Sequence, residues 1–262
     1  MLKIKTIIEQ MPVGDSRPFL VTCDDDNQYV MKFSVRQADN SKALFNELLG
    51  YKIVDWLDLD HPEFFLAKLY PQVVSDNSIL ADAEPKTGTV FVTKYHNYTP
   101  AGDPIMMKNA SNKNIFLGIF FYDQFIVNVD RGQNRGNWLM NRDDLKIHVV
   151  DNDRILKQQQ FWTPSTLAEI KKIPPFEIEA LSAVEYKYLL NVYGDTHGKH
   201  SFDSISRKIK NITSDVIDQW FSDIPNDWNI LSDDILAIKE FILFQVDHVD
   251  EIIDFLVVKY DI

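Results

Sequence analysis

The sequence predicts an α+β chain built as two lobes, an N-terminal antiparallel sheet carrying one helix and a mostly α-helical C-terminal lobe. Up to about residue 95 the apolar runs are short and divided by turn residues, as strands are. Beyond residue 110 apolar residues recur at threes and fours, as on helices. The 262 residues, 45% hydrophobic and 25% charged, suit one or two folded domains and exclude disorder as the working state.

Leu2 to Met11 alternates Ile4, Thr6 and Ile8, and Pro18 to Cys23 is an apolar run. Tyr29 to Phe33 follows the turn Asp24-Asp25-Asp26-Asn27, which completes a three-stranded meander. Ser41 suits an N-cap, and Leu44, Leu48, Tyr51, Val54 and Leu57 then fall at helical spacing, predicting a helix to about Leu59 with one buried face. Phe64 to Val74 and Thr89 to Lys94 predict two more strands, with a loop at Asp82 to Gly88. His96 to Gly102 contains Pro100 and Gly102 and has no periodicity, which marks a connector between lobes at residues 1–95 and 96–262. In the second lobe Ala110 to Asn128 reads as helix, and Trp138 to Met140 and Lys146 to Val150 as short strands around Asn141-Arg142-Asp143-Asp144. Glu177 to Val192, Ser201 to Ile209, Ser214 to Asp223 and Ser232 to Val258, the last divided near Asp247, complete the helices, with Trp220 and Trp228 as packing anchors.

The net charge of −12 repels phosphate backbones and anionic lipid, so neither nucleic acid nor a membrane is expected as a direct partner. A single cysteine, Cys23, forms no internal disulfide, and no Cys/His cluster has zinc spacing. Met1 to Gly14 lacks a secretory pattern, and Ile115 to Val129, interrupted by Asp123 and Gln124, is too short to span a bilayer. The expectation is a cytoplasmic protein.

The chemistry concentrates in Asn128-Val129-Asp130-Arg131-Gly132-Gln133-Asn134-Arg135-Gly136-Asn137-Trp138-Leu139-Met140 and in Val149-Val150-Asp151. An acid closes a buried helix, a polar glycine-containing loop follows, an Asn enters a hairpin and a second acid leaves it. Metal-dependent phosphoryl transfer needs this set: one carboxylate to orient the attacking hydroxyl, and an amide oxygen and a carboxylate to hold Mg²⁺ on nucleotide phosphates. Asp130, Asn137 and Asp151 suit those roles. Each alone is also an ordinary turn residue; the ordered set is what carries the signal.

The order Asn-x-Asp-Arg, a polar loop, Asn-x-Leu and an apolar strand ending in Asp resembles the HipA-like kinase family, and more distantly the type II phosphatidylinositol 4-kinases. The match is specific over Phe121 to Ile155 and looser over Gly14 to Trp56. It implies a bilobal protein-kinase-like fold that uses ATP and Mg²⁺. Asn137 lies seven positions after Asp130, whereas eukaryotic protein kinases place the metal Asn five positions on, so Asn134 competes with Asn137 as ligand.

The same resemblance implies further parts. Lys32, ending Gln28-Tyr29-Val30-Met31-Lys32, takes the place of the phosphate-binding lysine, and Glu47 on the following helix that of its ion-pair partner. Gly14 and Ser16 occupy a short Gly-x-Ser loop that would offer phosphate donors, or form a plain hairpin turn. Thr93, Lys94 and Tyr95, with His96, form a hinge whose backbone would bind adenine. Arg131 would support Asp130 or hold phosphate, and Asp153 would reach a second metal or face solvent. His148 is expected at a cleft wall or in solvent, and His197 and His200 in a linker.

The implied activity is transfer of the γ-phosphoryl group of ATP to a Ser or Thr hydroxyl of a protein substrate. Two alternatives stand beside it, a lipid or small-molecule acceptor and a nucleotide-binding pseudokinase. A small antitoxin-like partner belongs to the family picture, and the sequence neither supports nor opposes one.

Overall fold

A computed structural model describes residues 1–12, 17–36, 40–80, 83–132, 134–194 and 198–262, with Arg135 as backbone only. The architecture is α+β, as predicted. Strands β1 (Leu2–Gln10), β2 (Phe19–Cys23) and β3 (Gln28–Lys32) lead into helix α1 (Ser41–Trp56). Next come β4 (Phe64–Leu69), the short α2 (Pro71–Ser75), and β5 (Gly88–Lys94).

The five strands of the expected sheet close into a barrel in the order β1-β2-β3-β5-β4. Closure comes from a short parallel pairing of Leu2 with Ala67 and Lys3 with Lys68. Two register irregularities along β1, between Ile4 and Thr6 and between Ile7 and Glu9, bend that strand round to reach β4. Ile4, Ile7, Phe19, Val21, Met31, Ala67, Val90 and Val92 fill the barrel. Strand β4 stops at Leu69 instead of running to Val74, because Pro71 starts α2 and cannot donate to a ladder.

The second part opens with β6 (Tyr98–Pro100), α3 (Pro104–Asn109) and α4 (Phe116–Phe125), followed by β7 (Trp138–Asn141) and β8 (Ile147–Val149). The aperiodic stretch read as a bare connector therefore supplies an edge strand, pairing Tyr98 with Asn141 and Pro100 with Leu139. Three residues are too few for alternation to show. Helices α5 (Pro164–Ile170), α6 (Val184–Tyr193), α7 (Asp203–Lys210), α8 (Ser214–Phe221), α9 (Ser232–Asp247) and α10 (Val249–Tyr260) complete the chain. The expected break near Asp247 falls between α9 and α10. All ten residues of α4 are buried, including Asp123 and Gln124. No helix among the described residues is long and apolar enough to cross a membrane.

Helix α1 departs from the amphipathic pattern. Its buried residues run almost without gap from Ala43 to Tyr51, so it is enclosed rather than laid on a surface. It belongs to the large core with α4 and Phe91, while Val90 and Val92 on either side of Phe91 point into the barrel.

His148, in the middle of β8, is buried rather than solvent-facing, and its Nδ1 lies 2.9 Å from the Tyr98 hydroxyl. Burial, helped by His96 and His61 against Asp144 and Asp60, pushes its pKa down to about 4. The unfolded chain thus binds a proton that the folded chain refuses between pH 6.5 and 4. Stability from this group is full above pH 6.5 and falls as pH drops towards 4, by up to about 3 kcal/mol. Urea unfolding across this range should show a shallower acid loss for His148→Gln than for wild type; parallel pH curves would contradict it.

Candidate active site

Alternation along β3 sets the first element. Tyr29 and Met31 face the barrel, so Lys32 points the other way, beside Phe91 and towards α1. There Lys32 forms an ion pair with Glu47, which is 1% exposed, and a second one to Asp151 Oδ1 at 2.6 Å. The other Glu47 oxygen accepts from the Asn152 amide at 3.1 Å. Burial pulls the Lys32 pKa down, but Asp151, Glu47 and Asp153 outweigh it and hold it well above the ordinary lysine value. Strand, helix and the turn after β8 are thus joined by one ammonium.

Asp151 adopts a left-handed backbone, φ +58°, a conformation that few non-glycine residues hold without surrounding support. Burial raises its carboxyl pKa, yet Lys32 overrides that and the net direction is down. Asp153, two residues on, goes the other way, pushed up to about 8 by burial and by Asp151. Carboxylate oxygens of Glu47, Asp151 and Asp153 all lie within 4.8 Å of one another. The three acids face the Lys32 ammonium, with the Arg154 guanidinium 4.0 Å from Asp153, and this set of hard oxygen donors fits a divalent cation.

The loop carrying Asp130 is built on α4. After the helix Val127 takes φ +56°, an outlier for a β-branched residue, and the chain turns back so that the Asn128 amide reaches the Asp123 carbonyl at 2.8 Å. Asn128 Nδ2 donates to Asp123 Oδ1 at 2.7 Å. Asp130, 8% exposed, then accepts from Asn137 Nδ2 at 2.6 Å and Arg154 Nη1 at 3.1 Å. Asn134 Nδ2 also approaches it at 3.4 Å, but Asn134 Oδ1 accepts from the Gly136 amide at 3.0 Å, forming a turn. Both candidate asparagines therefore gather on Asp130, with Asn137 buried and Asn134 half-buried.

Arg131 does not face this group as expected. It is 1% exposed and donates to both oxygens of Asp123 at 2.9 and 3.1 Å, to the Val150 carbonyl at 2.7 Å and to Asn152 Oδ1 at 3.2 Å. Tyr186 adds a bond to Asp123 at 2.7 Å. Arg131 thus fastens α4, the loop and the Asp151 turn together through protein oxygens. Gly132 leaves no room for a side chain, since a Cβ there would lie 2.1 Å from the Ala180 carbonyl oxygen.

The hinge also differs. The Lys94 amide donates to Glu63 at 2.7 Å and the Tyr95 amide to Gln28 at 2.9 Å, while Thr93 pairs between Val30 and Phe64. The donors expected for adenine at Lys94 and Tyr95 are engaged inside the barrel. Gly14, Ser16 and His197 lie outside the described residues. His200 stands exposed near Asp203 and away from the cluster. Two surface grooves, of about 960 and 450 Å³, hold none of these groups. Arg154 on Asp130, and Asp123 beneath Arg131, were missed from sequence; an acid inside an apolar helix is a signal that a buried cation must answer it.

A family model described as HipA-like kinase matches residues 4–169. No curated protein matches the chain in sequence. Among solved structures the chain is similar to a Helicobacter pylori proinflammatory kinase, CtkA, at 14% identity over 98% of both chains with a TM-score of 0.56. The Golgi casein kinase, in a structure with Mn and ADP bound, aligns at 12% identity over 97% of this chain and 73% of its own, with a TM-score of 0.48.

Because Asp123 and Arg131 are both enclosed, removing either strands a buried charge. Arg131→Met and Asp123→Leu should each cost about 3–5 kcal/mol in urea unfolding, while the double variant recovers part of that loss. Simple addition of the two losses would contradict the pairing.

Proposed function

The chain belongs to the HipA-like kinase family, and from that premise we propose that it binds ATP with Mg²⁺ and transfers the γ-phosphoryl group to a Ser or Thr hydroxyl of a protein. The observation that carries this reading is Lys32 held between Glu47 and Asp151, with Arg154 linking the cluster's Asp153, at 4.0 Å, to Asp130, at 3.1 Å, which Asn137 also holds. Residues 1–95 act as the nucleotide lobe and 96–262 as the lobe that carries the catalytic loop. The buried free thiol Cys23 suits a reducing cytosol.

Lys32 contacts the α/β phosphates while Glu47 keeps its ammonium in place, since a phosphate oxygen and a carboxylate can share one three-donor group. Asp151 and Asn137 would hold Mg²⁺ through oxygen, with Asp153 as a further carboxylate, and the ion would supply neutralisation of phosphate charge. Asp130, held by Asn137 and Arg154, orients the acceptor hydroxyl and takes up its proton. The oxygen of that hydroxyl forms the new bond to phosphorus as the bridging bond to ADP breaks. The spacing of seven between Asp130 and Asn137 keeps one other reading in place, a nucleotide-binding pseudokinase.

Two variants separate these roles. Asp151→Ala should abolish Mg²⁺-dependent ATP binding in calorimetry. Asp130→Asn should bind Mg²⁺-ATP within a few fold of wild type yet lose on the order of a hundredfold or more in autophosphorylation or ATP hydrolysis. Unchanged affinity in the first variant removes Asp151 from the metal site. Equal turnover in the second removes Asp130 from catalysis, and no turnover in wild type with ATP bound selects the pseudokinase.

A further inference from the structure

Helix α1 carries Glu47, and its enclosure is supplied partly by a segment distant in sequence. Residues 208–228, the end of α7 through α8 to Trp228, pack against it from the helical lobe and lie beyond the matched residues 4–169. At the C-terminal end of α1 the Trp56 indole donates to the Lys208 carbonyl at 2.9 Å and its ring meets Trp220 edge to face at 5.9 Å. Lys208 Nζ returns a bond to the Leu57 carbonyl at 2.8 Å. Midway along, Lys52 donates to the Trp220 carbonyl and pairs with Asp223. Nearer the start, Phe45 packs on Phe221 at 5.9 Å.

The same segment grips the barrel. Trp228, 2% exposed, donates its indole N–H to the Thr89 carbonyl at 2.8 Å. Asp227 Oδ2 accepts from the Thr89 amide at 2.8 Å, the Thr89 hydroxyl at 3.1 Å and Lys68 Nζ at 3.1 Å. The approach is so close that a Cβ on neighbouring Gly88, at φ +136°, would lie 2.6 Å from Asp227 Oδ2. Strand β5, which carries Thr89, is the neighbour of β3, which carries Lys32. One segment therefore fixes both the helix that holds Glu47 and the sheet that holds Lys32.

We propose that residues 208–228 form a clamp that positions Glu47 against Lys32, with Lys52, Asp227 and Trp228 as its positioning residues. The inference rests on reading the Lys32–Glu47–Asp151 cluster as the nucleotide site. In this chain the ion pair is set by contacts internal to the fold, so nucleotide affinity depends on side chains that touch neither nucleotide nor metal. Loosening the clamp lets α1 shift and weakens the hold on the ammonium, whereas the fold retains its two cores.

The test is a cycle of variants read by calorimetric titration with Mg²⁺-ATP and by thermal melting. Lys52→Ala and Asp227→Ala should each raise the Kd by about fivefold or more, and Lys52→Ala added to Glu47→Gln should change it by less than about twofold, because the clamp acts through Glu47. An equal factor for Lys52→Ala on both backgrounds, or an unchanged Kd for a folded Lys52→Ala, overturns the clamp. Glu47→Gln tests the underlying reading separately. Wild-type affinity in that variant removes the cluster as nucleotide site, while weakened affinity there with no effect of Lys52→Ala removes the clamp alone.

Discussion

Everything in the site is arranged around one half-buried ammonium. Lys32 sits on a strand whose neighbours Met31 and Phe91 are buried, and a lysine there is tolerable only if carboxylates answer it. Glu47 and Asp151 do so from a helix and from a turn far along the chain. That requirement ties the barrel, α1 and the β7–β8 hairpin into a single geometry. It also leaves an excess of acid, expressed in the raised pKa of Asp153, which a divalent cation would balance.

A second ion pair supports the first from beneath. Arg131 and Asp123 are wholly enclosed, and such pairs add little net stability against an apolar alternative while fixing which groups lie together. Here the guanidinium reaches the Val150 carbonyl and Asn152 on either side of Asp151, so the loop with Asp130 and the turn with Asp151 are tied to each other. The left-handed Val127 and Asp151 mark where the chain is forced to serve this arrangement.

The sequence made strands legible as short apolar runs between turn residues, as at β2 and β3, and helices legible as apolar residues recurring at threes and fours. It was silent on barrel closure, which depends on two residue pairs between β1 and β4, and on β6, which is too short for a period to appear. Helix α1 was read as half-buried because its leucines repeat at helical spacing; its other faces are covered by Trp220 and Phe221, which no local pattern can announce. The Lys32–Glu47 pair was legible by resemblance. Residue order does not say which hinge amides a barrel engages, and the partner of Arg131 is hidden because Asp123 shows in the sequence only as an interruption of an apolar run.

The central claim is that the Lys32 cluster is where nucleotide phosphates and metal meet. A crystal structure with a non-hydrolysable ATP analogue and Mn²⁺, read through the manganese anomalous signal, tests it most directly. Manganese should lie in ligand contact with Asp151 and Asn137, with Lys32 still on Glu47 and turned from Asp151 to phosphate. Nucleotide and manganese bound elsewhere, with Lys32 still bridging Glu47 and Asp151, would contradict it.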